Sequence, residues 1–332
     1  MELRQLRYFV TVVEESSFTR AAARLHLAQP GISAQIRQLE RELGQRLLHR
    51  SGRTVVPTEV GEAVLPYARA ALAAVDGLRD TVAECTGLLR GRVRIGFVSG
   101  AAADELDVAS VLADFHDAHP GVDIALTEDT SERMQAALTD GALDIAVLGI
   151  ADADLGPHLD HQVIVDMPLV VATAPGDPLL DSPPAAGLPL TALRDRPLIS
   201  LPRGTGIRGV LDRACTAAGF APRIAFEAAA PELLARLAAR GLGVALLPEL
   251  TADEQHRLGL RTHPLADHTL RGRVALAWRT DGPHSPAARA LLTRLRTSVP
   301  LTHSDRSPAA PPPAEPVENL RRPREPCGKL DG

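Results

Sequence analysis

The chain has 332 residues, 45% hydrophobic and 23% charged, the composition of a soluble globular protein long enough for two or more domains. Its first residues are rich in charge, and no apolar run reaches the about 18 residues of a membrane helix. We therefore expect neither a signal peptide nor a membrane span. The three cysteines are far apart and odd in number, which argues against a disulfide framework and predicts a cytoplasmic protein.

Charge is distributed unevenly along the chain. Residues 1–58 contain nine Arg and five Glu, a net charge of +4, whereas the whole chain carries −5. A basic first module on an acidic body indicates a polyanionic partner for that module alone. The chain has one lysine, Lys329, so the arginine content partly reflects overall composition, and the asymmetry by itself leaves the question open.

The first module has the pattern of three short helices. Apolar residues at three- and four-residue spacing mark the first helix: Leu3, Leu6, Phe9, Val10 and Val13. Ser17 or Thr19 can cap a second helix, and Pro30 suits the first position of a third. The face opposite the apolar stripe of the third helix carries Ser33, Ala34, Arg37, Gln38 and Arg41. This arrangement is typical of a helix-turn-helix that contacts phosphates and base edges.

A hairpin is predicted directly after the third helix. Ser51 and Gly52 lie between two short extended runs and are flanked by Arg50 and Arg53. Arginines at such a tip can reach the minor groove or the phosphates, so the pattern predicts a DNA-binding wing. The alternative from these residues alone is a small three-helix module with a solvated arginine face.

The continuous stretch FTRAAARLHLAQPGISAQIRQLERELGQRLLHRSGRTVVPTEVG, Phe18 to Gly61, resembles the N-terminal signature of LysR-type transcriptional regulators. The resemblance implies a winged helix-turn-helix over residues 1–58 that binds double-stranded DNA. It assigns DNA-contacting positions to Thr19, Gln29, Pro30, Ser33, Arg37, Arg50 and Arg53. The outward Gln38 completes the predicted DNA-binding set. Ala28 and Ala34 stand where many members have Ser and Arg, which makes the expected set of base contacts thinner than usual.

Residues 59–89 are predicted to form a long linker helix, with Thr58 as its N-cap. Apolar residues recur along it in a heptad-like stripe for about four heptads, which indicates helix pairing. By resemblance this is the dimerising helix, and the predicted dimerisation residues are Val64, Ala71, Val75, Leu78 and Val82. Two-fold pairing would present two DNA-binding units to a near-palindromic site, in a homodimer or homotetramer. The alternative is that the stripe packs against the chain's own second domain.

From Arg92 onward strand and helix patterns alternate, which indicates an α/β domain with largely parallel sheets covered by helices. The segments GALDIAVLG, HPGVDIAL, AAGFAPRIAFE and ARGLGVALLPE resemble the effector-binding half of LysR-type regulators. The resemblance implies a two-lobed, periplasmic-binding-protein-like (type 2) domain over residues 91–299. Its expected parts are lobe one at 91–163 plus 268–299, lobe two at 164–267, and crossovers near Gln162–Asp166 and Pro264–Leu270. The Pro-rich tail at 300–332 is expected to be disordered.

A glycine-rich loop in lobe two matches a dinucleotide-binding pattern. Three glycines spell G-x-G-x-x-G: Gly204, Gly206 and Gly209. Glu227 follows at about the distance of a ribose-binding acid. However, Pro202 and Arg203 separate the first glycine from the preceding strand, and no second mononucleotide unit is predicted. We therefore expect the loop and the following helix start to hold a different anion, in the effector cleft that the resemblance implies.

The predicted effector-binding residues come from three helix starts and are Ser99, Gly100, Thr130, Ser131, Pro202, Arg203, Gly204 and Thr205. In this interpretation Arg203 holds a carboxylate bidentately and Thr205 donates a hydrogen bond, which suits a small anionic metabolite. The alternative is that these hydroxyl groups only cap their own helices.

The sequence gives no spacing typical of a metal site and no nucleophile elbow, so we expect no metal, no cofactor beyond the effector and no catalytic residues. Cys215 falls near the place where peroxide-sensing members of the family keep a reactive cysteine, but it has no evident resolving partner. The predicted function is that of a LysR-type regulator whose partners are DNA, an effector, further copies of the chain and RNA polymerase. The competing class is a small-molecule binding protein or enzyme that uses the α/β half, with the first module accessory.

Overall fold

The structure is a computed structural model that describes residues 1–49, 54–85, 89–98, 107–152, 154–180 and 186–298. The first module contains the three predicted helices, α1 (Leu3–Glu15), α2 (Phe18–Leu25) and α3 (Gln29–Leu43). Helix α3 begins at Gln29, one residue before the expected start at Pro30.

Local capping defines the tight turn between α2 and α3. The hydroxyl oxygen of Ser17 accepts the backbone N–H of Arg20 at 3.4 Å, so Ser17 is the N-cap of α2. His26 ends α2 in the left-handed conformation, with φ of 54°. The apolar stripe of α3 is fully buried, with Ile32, Ile36 and Leu39 packed on Phe9 of α1. The predicted helix-turn-helix is confirmed.

The wing consists of two short antiparallel strands, β1 (Leu48–His49) and β2 (Val56–Pro57). A single long helix, α4 (Glu59–Cys85), follows the wing. The hydroxyl oxygen of Thr58 accepts the backbone N–H of Gly61 at 3.0 Å, which confirms the predicted cap. The tip of the wing, including Arg50 and Arg53, lies outside the described residues.

The α/β half is organised around one mixed sheet. Its strands are β3 (Gly91–Phe97), β4 (Val122–Glu128), β5 (Ile145–Ile150), β6 (Leu159–Thr173), β7 (Leu198–Ser200), β8 (Ile224–Glu227), β9 (Val244–Pro248), β10 (Arg261–Pro264) and β11 (Arg271–Arg279). Its helices are α5 (Val108–Ala118), α6 (Ser131–Thr139), α7 (Gly206–Ala217), α8 (Pro231–Ala239), α9 (Ala252–Leu258) and α10 (Pro286–Ser298). The described strands run in the order β4-β3-β5-β11-β6-β9-β7-β8, and β10 pairs with β6.

Two parallel groups of strands form two lobes. Strands β3, β4 and β5 are parallel in lobe one, and β7, β8 and β9 are parallel in lobe two. Strand β6 joins them, because it pairs with β11 as far as Pro168 and with β9 from Leu169 onward. The predicted two-lobed fold is confirmed. Strand β6 changes partners just after the expected crossover at Gln162–Asp166, and the exact lobe boundaries remain a prediction.

Each lobe has its own apolar core beneath its helices. In lobe one Phe115, Trp278 and Leu291 are buried together, and in lobe two Leu198, Leu211 and Val244 are. None of the helices in the described ranges combines the length and the apolar character needed to cross a membrane.

Candidate DNA-binding surface and effector cleft

Most of the predicted DNA-contacting residues that the structure describes are exposed. Thr19 lies at the start of α2, and Gln29 and Pro30 lie at the start of α3. Arg37 is exposed in the middle of α3, and its guanidinium has no ion-pair or hydrogen-bond partner among the described residues. Ser33 is half-buried on the same helix. Helix α3 therefore presents Arg37 as a cation that is available to an external anion.

Other charged and amide groups of the module are already engaged. The side-chain amide of Gln38 donates to Glu42 at 2.9 Å, and its oxygen accepts from Arg41. On α2, the guanidinium of Arg24 lies 2.9 Å from a carboxylate oxygen of Glu14 and contacts a second carboxylate on α1. Part of the module's positive charge is thus neutralised internally, and Gln38 needs to leave its intrahelical partners before it can contact a base.

Glu40 has a structural role, as a buried hydrogen-bond acceptor, that the sequence pattern did not reveal. It is 9% exposed, and one carboxylate oxygen accepts the backbone N–H groups of Leu47 at 3.0 Å and Leu48 at 3.3 Å. Because these N–H groups open the first wing strand, Glu40 fixes the wing to the back of α3. The available signal was a charged residue directly beside the apolar stripe of Ile36 and Leu39.

We expect Glu40→Ala to lower the free energy of unfolding by about 1–3 kcal/mol, because two buried N–H donors lose their acceptor. Glu40→Gln retains a side-chain oxygen and is the matched control, with a smaller loss. Urea titration monitored by circular dichroism measures both effects. Equal stability of the Ala and Gln variants would contradict the role of this oxygen in holding the wing.

Two of the three predicted effector-binding loops come together in the structure. The hydroxyl oxygen of Thr130 accepts the N–H of Arg133 at 3.4 Å, and the buried Ser131 accepts the N–H of Gly149 at 3.1 Å. The N–H of Glu132, in the first turn of α6, donates to the carbonyl oxygen of Gly204 at 2.9 Å. The third predicted loop, with Ser99 and Gly100, lies outside the described residues.

The lobes meet through backbone atoms at this point. A Cβ added to Gly206 would stand 2.6 Å from the carbonyl carbon of Gly149, which leaves no space for a side chain. The start of α7 is therefore packed directly on the end of β5. In this closed arrangement the N–H of Glu132 is bonded to protein rather than exposed to an anion.

The remaining loop residues differ in their surroundings. The hydroxyl group of Thr205 donates to the carbonyl oxygen of Pro202 at 2.8 Å, so the loop itself uses the donor that was expected to face a ligand. Arg203 is exposed and lines a groove of about 610 Å³ together with Asp212 and Phe220. That groove excludes Thr130 and Ser131. Arg203 therefore lines a different groove from the one expected, and the hydroxyl groups of Thr130 and Ser131 do not line it.

Arg208, inside the glycine-rich pattern, is a second residue whose role the sequence did not reveal. It is 3% exposed, and its guanidinium lies 3.0 Å from the carboxylate of Asp212. It also donates to a carboxylate oxygen of Glu227 at 2.9 Å and to the carbonyl oxygen of Leu201 at 3.2 Å. The candidate ribose-binding acid is therefore held by an internal cation, which supports the interpretation of the loop as something other than a dinucleotide site.

Cys215 lies in the core of lobe two and is fully buried. Burial, together with the negative charge of Asp212, raises the pKa of the Cys215 thiol to about 11. The thiolate is the form that reacts with oxidants, and a thiol with this raised pKa is mostly protonated near neutral pH. The described ranges also bring together no group of three or more His, Cys, Asp or Glu side chains of the kind that holds a metal ion.

The predicted dimerisation residues divide into two groups along α4. Val64 and Ala71 are partly buried against the core of the first module, and Val75 is half-buried. Leu78 and Val82 are 67% and 62% exposed. Among the described side chains of α4, the large apolar ones that are exposed form the stripe Val60, Tyr67, Leu78 and Val82. Of the predicted dimerisation residues, Val64 and Ala71 therefore pack on the chain's own first module, whereas Leu78 and Val82 are open to solvent.

Two sequence-family models match the chain. The model described as bacterial regulatory helix-turn-helix protein, lysR family, matches residues 3–62, and the LysR substrate binding domain matches residues 86–300. The chain belongs to the LysR family. It is a LysR-type DNA-binding transcriptional regulator with an effector-binding domain.

Similar proteins agree with the family assignment. The HTH-type transcriptional regulator YnfL of Escherichia coli K12 is 34% identical over 294 residues, 87% of this chain and 96% of its own. The probable hydrogen peroxide-inducible genes activator of Mycobacterium avium is 34% identical over 259 residues, covering 77% and 81%. Among solved structures, a full-length OxyR variant from Pseudomonas aeruginosa has a TM-score of 0.65 at 26% identity, covering 89% and 95%.

Proposed function

We propose that this LysR-family regulator binds a near-palindromic DNA site as a homodimer or homotetramer. Arg37 is exposed and has no partner among the described residues, which supports a role for α3 in base contact, with Thr19, Gln29, Pro30 and Ser33 beside it and the wing at the DNA backbone. The exposed stripe of α4 supports pairing of two linker helices. The proposal includes RNA polymerase as a partner, because it is the machinery on which such a regulator acts. It also includes a cytoplasmic location, where DNA is accessible.

The effector is a small anion that binds where α6 and α7 begin. The observation that carries this proposal is the meeting of two helix N-termini, which brings backbone N–H donors together at Thr130, Ser131 and Gly204. An anion at this place competes with the Gly204 carbonyl for the N–H of Glu132. Arg203, at the edge of the contact, supplies a guanidinium that can hold a carboxylate.

Peroxide is a weaker candidate signal. One of the similar proteins, from Mycobacterium avium, is named as a probable hydrogen peroxide-inducible genes activator. In this chain, however, the raised pKa and complete burial of Cys215 oppose reaction with peroxide. A catalytic role for the α/β half is likewise less favoured, because the buried Arg208 is held by Asp212 and Glu227 within lobe two.

A panel of small mono- and dicarboxylates tests the proposed effector site by thermal-shift measurement on the full chain. We expect at least one carboxylate to raise Tm in the wild type and to lose most of that effect in Arg203→Met. The matched control is Arg240→Met, another exposed arginine of lobe two. Equal stabilisation of both variants, or stabilisation only by neutral compounds, would remove support for an anion at Arg203.

A further inference from the structure

Helix α6 connects two distant contacts. Its first turn lies in the closed cleft, where Glu132 donates to Gly204. Its last residue is Thr139, and Asp140 forms the C-cap. A carboxylate oxygen of Asp140 lies 3.6 Å from Nη1 of Arg69, which belongs to the linker helix α4. The helix has nine residues, about 14 Å at 1.5 Å per residue, so its two ends place the cleft contact and the Asp140 contact on one continuous element.

Arg69 also contacts the DNA-binding module. Its Nη2 lies 4.0 Å from a carboxylate oxygen of Glu14 on α1. Glu14 in turn lies 2.9 Å from the guanidinium of Arg24 on α2. One side chain on the linker helix therefore touches the effector domain and the helix-turn-helix at the same time.

The surroundings of Arg69 favour a specific role over simple packing. The side chain is only 14% exposed, and its Nε is buried without a hydrogen-bond partner in the described part of the chain. Burying an incompletely bonded guanidinium opposes stability, so an apolar side chain would serve packing at least as well. What an apolar residue cannot provide is simultaneous attraction to Glu14 and Asp140.

We propose that Arg69 is a positioning residue that couples the effector cleft to the helix-turn-helix through α6. This inference rests on the proposed effector site at the start of α6. When an anion takes the N–H of Glu132, the Gly204 carbonyl is released and α6 shifts. Asp140 then changes its distance to Arg69, so the guanidinium moves closer to one of its two carboxylates, Asp140 or Glu14. This movement weakens or strengthens the ion pair between Glu14 and Arg24 on the DNA-binding module.

Another physical route exists and has to be separated from this one. The linker helix also packs against the loop before α10, where the α4 backbone at Gly77 meets the carbonyl of His284. A signal that passed from lobe one through α10 would reach α4 without Arg69. The coupling through Arg69 must therefore be tested by its removal.

The cleft can be opened without a ligand by Gly204→Ala. Gly204 has φ of +82°, and an added Cβ would stand 2.8 Å from Oε2 and 3.2 Å from Cβ of Glu132. The Oε2 atom can swing away, but the Cβ of Glu132 is fixed to α6, so we expect the substitution to loosen the contact between the loop and the start of α6. The matched control is Gly219→Ala, which has a similar φ of +75° in the same lobe but no neighbour within 4 Å.

Full-length variants are compared by hydrogen exchange and by anisotropy with a DNA duplex selected from a random-sequence pool using the wild type. We expect Gly204→Ala, unlike Gly219→Ala, to speed exchange of the Glu132 amide and alter protection across α1 and α2. DNA affinity should change by about fivefold, the low end of typical allosteric coupling. In an Arg69→Met or Asp140→Asn background the same substitution should change affinity by less than about twofold.

Three results would overturn the coupling role. One is a full response to Gly204→Ala in both uncoupled backgrounds, which would favour the α10 route. A second is an exposed Glu132 amide with unchanged α1, α2 and DNA affinity. A third is a Glu132 amide that exchanges as slowly in Gly204→Ala and in Gly206→Ala as in the wild type. Because an added Cβ disfavours the closed contact in both variants, this result would mean that the contact does not protect the amide in solution. Selective DNA binding and carboxylate stabilisation of the wild type report separately on the proposed function.

Discussion

Leu78→Asp combined with Val82→Asp is expected to convert the protein to monomers and to lower its affinity for a two-half-site DNA duplex by about 100-fold. Both side chains are exposed apolar groups on the open half of the α4 stripe, and charge at the seam of paired helices is strongly unfavourable. Linking two DNA-binding units raises affinity by about 10²–10⁴ through effective concentration, and a monomer loses that gain.

Sedimentation analysis and fluorescence anisotropy measure the two parts of this prediction. Leu242→Asp is the control, because Leu242 is another exposed leucine that lies outside α4. Binding to a single half-site should change little in the double variant, because α3 and the wing are untouched. A double variant that stays dimeric would show that α4 pairs through another face or that a different surface holds the dimer.

Arg37→Ala is expected to remove most of the preference for the selected DNA site over random DNA. A bidentate arginine–base contact contributes about 1–3 kcal/mol of discrimination, so the ratio of the two affinities should fall by about 10- to 100-fold. Arg37 is suited to this role because it is exposed on α3 and has no partner among the described residues. Competition anisotropy with selected and scrambled duplexes gives the ratio directly.

Arg37→Lys separates base reading from phosphate attraction. Lysine keeps the charge but lacks the planar fork, so affinity for scrambled DNA should be retained while selectivity is lost. Arg240→Ala is a further control, because Arg240 is an exposed arginine outside the DNA-binding module. Unchanged selectivity in both Arg37 variants would move base recognition to Ser33 or to the start of α3.

Local sequence signals predicted the elements of this fold well. The spacing of Ile32, Ile36 and Leu39 indicated the buried face of α3, and Ser17 and Thr58 were recognisable caps. These features depend on residues within a turn or two of each other. The alternation of strands and helices also indicated a two-lobed α/β domain, because parallel strands need helical crossovers.

The stripe of α4 shows where such local information ends. Apolar residues at heptad spacing occur along two lines, one through Val64 and Ala71 and one through Val60 and Tyr67. Packing of the first line on the core of the helix-turn-helix decides which line stays exposed. That choice depends on how the wing and α1 meet α4, which periodicity does not encode.

The effector cleft shows the same limit more strongly. The sequence identified the loops that meet, but the use of the Thr205 hydroxyl by Pro202 and of the Glu132 N–H by Gly204 depends on tertiary packing. Arg208 was readable as a charge within a glycine-rich loop, yet its bonds to Asp212 and Glu227 bring together two elements that are separated in the chain. Hydrogen-bond partners of this kind follow only from the folded arrangement.

The contact between Gly149 and Gly206 has a consequence for the diversification of such regulators. The two lobes touch there through main-chain atoms, and the one hydroxyl group that holds Gly149 in place is that of Ser131 among the described residues. Substitutions at other positions around the cleft can change which molecule is recognised while the main-chain contact between the lobes is retained. Ligand preference and the opening movement are therefore separable traits, and Gly206 marks a position where a side chain does not fit.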